Sequence, residues 1–167
     1  MIHYCVVRTH LGYAGLLSRD GRLTRLMLPR PSRRQALAEI TAGLTGPAVE
    51  DVRAFGDLPE RLRRYFQGER VDFGDVQLDL SGCGPFQARA ILAARTIPYG
   101  TVITYGGLAR IAGSPKAARA AGAAMAANRT PIIVPCHRVI ASGGRIGGYA
   151  SGLEWKRELL RIEGIDI

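Results

Sequence analysis

YGGLARIAGSPKAARAAGAAMAA, the stretch from Tyr105 to Ala127, decides how the second half of the chain folds. Tyr105–Ile111 reads as a helix stopped by Gly113. Ser114-Pro115-Lys116 then supplies an N-cap serine with proline at the first helical position, so a second helix is predicted to run to about Ala127. Two short helices joined by a tight glycine-containing turn make a helix-turn-helix. The second is almost entirely Ala and Gly around Lys116 and Arg119, which lets its backbone approach another surface closely; the same composition equally suits tight helix packing. Working outward, Phe86–Arg95 is a further predicted helix, stopped by Ile97-Pro98-Tyr99-Gly100. A last helix is predicted to open with the capping box Ser151-Gly152-Leu153-Glu154 and to end at Gly164.

Upstream the pattern changes. Strand-like stretches occupy Ile2–Val7, Gly12–Ser18 and Leu23–Leu28, and the Asp-Gly of Ser18-Arg19-Asp20-Gly21 favours a hairpin. A Pro-Arg-Pro break at 29–31 leads to a predicted helix near Arg33–Ala42. A second, Pro59–Gln67, has Pro at N1 and a buried face of Leu58, Leu62, Tyr65 and Phe66; Asp72–Leu80 reads as extended. Ser81-Gly82-Cys83-Gly84-Pro85 is linker-like. The expected organisation is α/β (α+β): a small α/β domain over residues 1–80 and a mostly helical domain over 81–167.

Composition narrows the function. With 167 residues, 47% of them hydrophobic, the chain has enough apolar side chains for a packed core. No apolar run approaches the roughly 20 residues of a membrane span, and the N-terminus lacks the layout of a secretory signal, so a cytoplasmic protein is expected. Cys5, Cys83 and Cys136 form no C-x-x-C pair and should be reduced thiols. The net charge of +9 is unevenly placed: residues 1–80 hold 12 basic and 10 acidic side chains, residues 81–167 hold 11 and 4. No carboxylate lies between Asp79 and Glu154. A surface of that kind attracts a polyanion, with DNA or RNA ahead of an anionic membrane or a phosphorylated metabolite. The 21 Arg against 2 Lys suggest a coding bias, which does not explain why acids vanish from one half only.

The segment NRTPIIVPCHRVI, from Asn128 to Ile140, sets Cys136 between two apolar stretches and beside His137. A thiol with a pKa of about 8.5 is mostly protonated at neutral pH, so a nucleophile needs a base or a cation, and His137 and Arg138 are placed to serve. A carboxylate must then orient the histidine. Glu154, Glu158, Glu163 and Asp166 are the candidates; with Glu154 engaged in capping, Glu163 is preferred. On its own a Cys-His dipeptide fits an inert buried thiol equally well.

Pro135-Cys136-His137-Arg138-Val139-Ile140 resembles the active-site signature of the O6-alkylguanine-DNA alkyltransferases, the methylated-DNA–protein-cysteine methyltransferases. Phe86-Gln87, Ile97-Pro98-Tyr99-Gly100, Thr104-Tyr105, Ala118-Arg119-Ala120, Asn128, Gly148-Tyr149 and the tail Lys156, Leu159-Leu160, Glu163-Gly164 fall in that family's order and spacing. The resemblance covers residues 81–167 and, more loosely, the first 80. It implies a ribonuclease H-like N-terminal domain, a winged-helix or helix-turn-helix-like C-terminal domain, and no cofactor. It also implies DNA repair by direct reversal, in which the alkyl group of O6-alkylguanine, with O4-alkylthymine as a further candidate, moves irreversibly to Cys136 after nucleotide flipping. An alkyl thioether has no carbonyl for water to attack, so each molecule is expected to act once, and alkylation is expected to destabilise the fold by crowding a packed pocket.

Residue by residue, the resemblance makes Arg119 the finger that fills the vacated stack. Lys116, Ala118 and Ala120 lie with it in the minor groove of double-stranded DNA. Tyr105 contacts the 3′ phosphate and protonates guanine N3. His137, through a water and held by Glu163, deprotonates Cys136, while Asn128 braces the surrounding loop. Tyr149, Ala150, Ser151 and Val139 line the base pocket. A monomer is expected in solution, with cooperative binding on DNA left open.

The chain departs from the family at Ala90-Ile91, where many members have Val-Trp, and at Gly106-Gly107, which replace a polar pair. Ala150 lacks a hydroxyl that some relatives carry, which puts tolerance for bulky adducts in question. His3, Cys5 and His10 lack the second N-terminal cysteine of zinc-binding relatives, so no metal is expected. Three rivals make different demands. A non-catalytic lesion recogniser would lack the cysteine, and a cysteine hydrolase would need an oxyanion hole and turnover. A helix-turn-helix regulator would need polar base-reading side chains, of which Ala117–Ala127 offers few.

Overall fold

Alternating side chains and an Asp-Gly turn give the N-terminal stretch an antiparallel meander in the computed structural model, which describes residues 1–167. β1 (Ile2–Thr9), β2 (Gly12–Arg19) and β3 (Arg22–Arg30) pair in sequence. Arg19 faces Arg22, which leaves a two-residue loop, and both of its residues are left-handed, Asp20 at φ 51 and Gly21 at φ 79. That combination matches the right-handed twist of the flanking strands. A short β4 (Ala48–Glu50) runs parallel to β1, so the sheet order is β3-β2-β1-β4.

α1 (Arg33–Thr41) begins where Ser32 Oγ accepts the amide of Gln35 at 3.1 Å, and it buries Ala36 and Ile40 against Met27 of the sheet. α2 (Leu58–Phe66) packs against β1 and buries Leu58, Leu62, Tyr65 and Phe66, with the Tyr65 ring edge-on to Phe66 and Phe73. Pro59 is thus the second helical residue rather than the first. The expected extended run at Asp72–Leu80 forms no strand: Asp72 Oδ1 takes the amide of Gly74 at 2.8 Å and turns the chain, leaving one bridge between Leu23 and Leu78.

This first unit spans Met1–Asp79 and a second spans Leu80–Ile167. In the second, α3 (Pro85–Ala94), α4 (Tyr105–Ile111) and α5 (Ala118–Ala126) pack on one another, and α6 (Leu153–Ile162) closes the chain. α4 and α5 are the expected helix-turn-helix. α5 starts later than expected, however, because Gly113, at φ 91, ends α4 and the Ser114 amide bonds back to Ala109 O at 2.9 Å. The chain then makes a further turn, the Ala117 amide bonding to Ser114 O at 2.9 Å, so Ala117 is the N-cap and contributes no side-chain bond. The capping box of α6 is also absent: Gly152, at φ 98, is the N-cap and Ser151 lies one residue outside it.

A parallel pair of two-residue strands, β5 (Ile103–Thr104) and β6 (Val139–Ile140), ties the segment that opens α4 to the 3-10 turn Cys136–Arg138. Two segments far apart in the chain thereby meet beside the cysteine.

The β2–β3 loop yields a direct check. Gly21→Val places a β-branched side chain in the left-handed region and should lower stability by about 1–2 kcal/mol, read as a reduced urea midpoint at unchanged slope, whereas Gly21→Asn should lose much less.

Candidate active site

Cys136, the candidate nucleophile, is held by a loop with no solvent-facing side chains. Thr130–Ile140 is buried throughout. Within it Ile132 adopts φ 76, an uncommon left-handed conformation for a β-branched residue that only a tightly determined surrounding maintains. Asn128 supplies much of that determination. Its Oδ1 accepts from the Thr130 amide (3.1 Å) and hydroxyl (3.3 Å), and its Nδ2 donates to Val134 O and to Cys136 Sγ, each at 3.0 Å. All four bonding positions of the amide are thus in use. Burial pushes the Cys136 thiol above its ordinary pKa; the Asn128 and Tyr149 hydrogen bonds and the charge of Lys156 pull it the other way.

Beside it, His137 is buried and its Nε2 lies 2.5 Å from Glu163 Oε2. Arg138 clamps the same carboxylate through Nε to Oε1 (2.8 Å) and Nη2 to Oε2 (3.1 Å), and the Gly100 amide donates to Oε1 at 3.0 Å. Burial opposes the charge on Glu163, but these donors and the Arg138 charge hold its carboxyl well below the usual range. Burial likewise lowers His137, so the ring is neutral at neutral pH. An ionised Glu163 at Nε2 places the ring proton there and leaves Nδ1 with the lone pair.

Cys136 opens onto a cavity of about 280 Å³ lined by Tyr105, Gly122, Met125, Ala126, Gly148, Tyr149 and Ala150. α4 presents Tyr105, whose hydroxyl donates to Gly148 O at 3.4 Å and whose pKa is raised by burial. Glycine is required beside Tyr105 at one position. A Cβ on Gly147, at φ 74, would sit 2.9 Å from the Tyr105 hydroxyl, whereas one on Gly122 would meet the Tyr105 ring at an ordinary contact distance of 3.8 Å.

The structure therefore gathers Cys136, His137, Glu163, Asn128, Tyr105, Tyr149 and Ala150 into one site. Val139 and Ser151 are not among the cavity's lining residues: Val139 is fully buried and Ser151 faces outward. Lys116, Ala118, Arg119 and Ala120 are exposed at the start of α5, while Ala121, Ala124 and Met125 are buried on its other side. One group that the sequence marks only as part of the matching tail has a definite place in the site. Lys156 is fully buried and donates to Val139 O (2.7 Å), Ile146 O (2.6 Å) and Gly148 O (2.9 Å). Its signal was present: Lys156, Leu159, Leu160 and Glu163 follow the i, i+3, i+4, i+7 spacing of a buried helix face. No group of three or more His, Cys, Asp or Glu is arranged to hold a metal, and no helix is long and apolar enough to cross a membrane.

Comparison with known proteins bears directly on this arrangement. Residues 85–165 match the family model described as 6-O-methylguanine DNA methyltransferase, DNA binding domain, and residues 2–80 match that of its ribonuclease-like domain. The chain belongs to the 6-O-methylguanine DNA methyltransferase family. It is 42% identical over 167 residues to the methylated-DNA–protein-cysteine methyltransferase of Mycolicibacterium paratuberculosis, covering 98% of this chain and 93% of that one. The Methanopyrus kandleri protein of the same name is 47% identical over 119 residues, 71% of this chain and 87% of that one. The crystal structure of Mycobacterium tuberculosis OGT in complex with DNA aligns with a TM-score of 0.79 at 39% identity, covering 97% of this chain and 93% of that one. Within this family frame, the departures Ala90 and Ile91 are buried core positions, and the Gly107 amide is capped by Thr104 Oγ1 at 3.0 Å.

The Glu163 cluster makes stability sensitive to acid with a definite sign. Its folded pKa lies below the unfolded value of about 4.3, so its contribution is complete above that pH and is lost as pH falls below it. Glu163→Gln should lower stability by about 3–5 kcal/mol at neutral pH, since it leaves the Arg138 charge buried without its partner, and should flatten the fall in unfolding free energy between about pH 4 and pH 2.

Proposed function

We propose that this chain repairs DNA by taking the alkyl group from O6-alkylguanine onto Cys136 Sγ, once per molecule. The observation that carries the reading is a buried thiol at the wall of a cavity that has room for a base but not for a duplex, so a target guanine must leave the stack to reach it. Exposed Lys116, Ala118, Arg119 and Ala120 supply the surface that meets the minor groove, with small side chains permitting close approach and Arg119 filling the vacated position. A reduced thiol nucleophile and a DNA substrate suit a cytoplasmic protein acting as a monomer, one molecule per lesion.

The residues divide the chemistry. His137 Nδ1 takes the thiol proton through a bridging water, and the imidazolium so formed is stabilised by Glu163. Sγ attacks the alkyl carbon, the new S–C bond forms as the C–O6 bond breaks, and the electron pair passes into the guanine ring. Tyr105, kept as a phenol by burial, protonates N3 of the leaving base. His137 ends protonated and Tyr105 as phenolate, and solvent restores both once the base departs. Asn128 holds Sγ in line, and Tyr149 and Ala150 face the base across the cavity. Val139 and Ser151, outside the lining, act through backbone groups.

Intact and peptide mass spectrometry after mixing with excess O6-methylguanine duplex should show one methyl gained per molecule, on Cys136, and none in Cys136→Ser. Tight binding without mass gain would mean a lesion recogniser, and product beyond one equivalent would mean a hydrolase. Arg119→Ala should slow transfer from duplex by about tenfold or more, since the cost of extruding a stacked base is no longer offset, while leaving reaction with the free alkylated base nearly unchanged.

A further inference from the structure

Lys156 is the buried cation that the transfer mechanism does not use. It faces no carboxylate. Its ammonium lies among three main-chain carbonyls, those of Val139, Ile146 and Gly148 at 2.6–2.9 Å, and over the rings of Tyr105 (5.7 Å) and Tyr149 (6.0 Å). Two of those carbonyls belong to the segment that forms the wall of the base cavity, and the third belongs to β6, directly after the nucleophile turn. Gly148 O also accepts the Tyr105 hydroxyl, so one atom links the ammonium to the proton donor.

We propose that Lys156 is the positioning residue of the base cavity, its ammonium latching the Ile146–Gly148 wall and, through Gly148 O, Tyr105, in the geometry that accepts an extruded base. The role rests on the reading of the cavity as a base site. An ammonium has three N–H donors and three carbonyls to serve, so the match is complete only in the charged state. A neutral amine has two donors and a lone pair, and one carbonyl then loses its partner.

Burial lowers the Lys156 pKa to about 8. The titratable groups that face it are Cys136 and His137 from the nucleophile turn, Tyr105 from α4 and Tyr149 from the wall. Burial moves Cys136 and Tyr105 upward and His137 downward. The latch should therefore loosen as pH rises through about 8. Global stability moves the opposite way: the folded state holds the Lys156 proton less tightly than the unfolded chain, so from this group alone stability rises between about pH 8 and pH 10. A group that merely supported the fold would not weaken base capture while stability increased.

The test is single-turnover transfer from O6-methylguanine duplex, resolved into a half-saturation concentration and a limiting rate from pH 6.5 to 9.5, beside alkylation of Cys136 by iodoacetamide, which needs no base cavity. Wild type should show half-saturation weakening by about tenfold above pH 8, one hydrogen bond to a charged group being worth that much, with no matching loss of iodoacetamide rate or thermal midpoint. Lys156→Arg, which does not titrate there, should lack the alkaline limb, and Lys156→Met should be weak at every pH. The proposal is overturned if half-saturation is flat across pH 8 in wild type, a result that needs no variant to fold. It is equally overturned if Lys156→Met lowers the iodoacetamide rate as much as transfer, which would make the lysine an activator of the thiol rather than a latch. Failure of wild type to accept any methyl group would instead count against the base-site reading itself.

Discussion

The Glu163 carboxylate is the one buried acid in the chain, and the helical unit is tied together through it. A carboxylate removed from water is costly unless its oxygens are fully engaged, and here the Gly100 amide, His137 and both arms of Arg138 engage them. These donors come from two separate stretches of sequence and the carboxylate from a third. Arg138 carries the network on to Ile97 O at 2.6 Å, and the Tyr99 hydroxyl returns to Ile162 O at 3.2 Å, so the turn after α3, the nucleophile turn and the end of α6 are mutually fixed. The orientation of the His137 ring is thus a property of the last helix as much as of the reactive segment.

The uneven charge of the chain acquires a structural meaning from the ion pairs. In the first unit, Arg30, Arg33, Arg53, Arg61, Arg63 and Arg64, half of the twelve arginines there, each meet a carboxylate. In the second, the acids are few and Glu163 is committed to the interior. Lys116, Arg119 and Arg129 stand exposed with no acid to neutralise them. Phosphate is the complement that the proposed DNA-binding role would bring to them, with counterion release favouring its binding.

That asymmetry also explains which parts of the site could be read from residues alone. Glu163 was accessible because carboxylates are scarce near Cys136, so elimination pointed to the right partner for His137, although the capping box invoked against Glu154 does not form. The helix-turn-helix was legible from Gly113 and the flanking helical runs. The start of α5 was not, because Ser114 signals a helix start equally well when it is closing the preceding one. β4, three residues long, carries too little pattern to announce itself. Lys156 was passed over for a different reason: lysines are seldom fully buried, so a lone lysine on a helix is ordinarily solvated, and only its shared face with Leu159, Leu160 and Glu163 marks it as interior.

A protein that is consumed in acting faces a constraint that a turning-over enzyme does not. Any reaction of its thiol with an adventitious electrophile or oxidant removes a molecule permanently, and such reactions follow the thiolate fraction and its exposure. Here burial keeps Cys136 protonated, the base beside it is neutral, and the loop that carries it has no exposed side chain from Thr130 to Ile140. Resting reactivity is therefore low, and in the proposed mechanism the means of activation, a histidine oriented by an ionised glutamate and a phenol facing the cavity, act only on what the cavity admits. An alkyl group added to Sγ would instead compete with the Asn128 Nδ2 hydrogen bond, 3.0 Å away, that helps to fix the loop. A loop already holding Ile132 in a left-handed conformation has little capacity to absorb a shift of that amide, so under the proposed reaction the spent protein is expected to be less stable than the unused one.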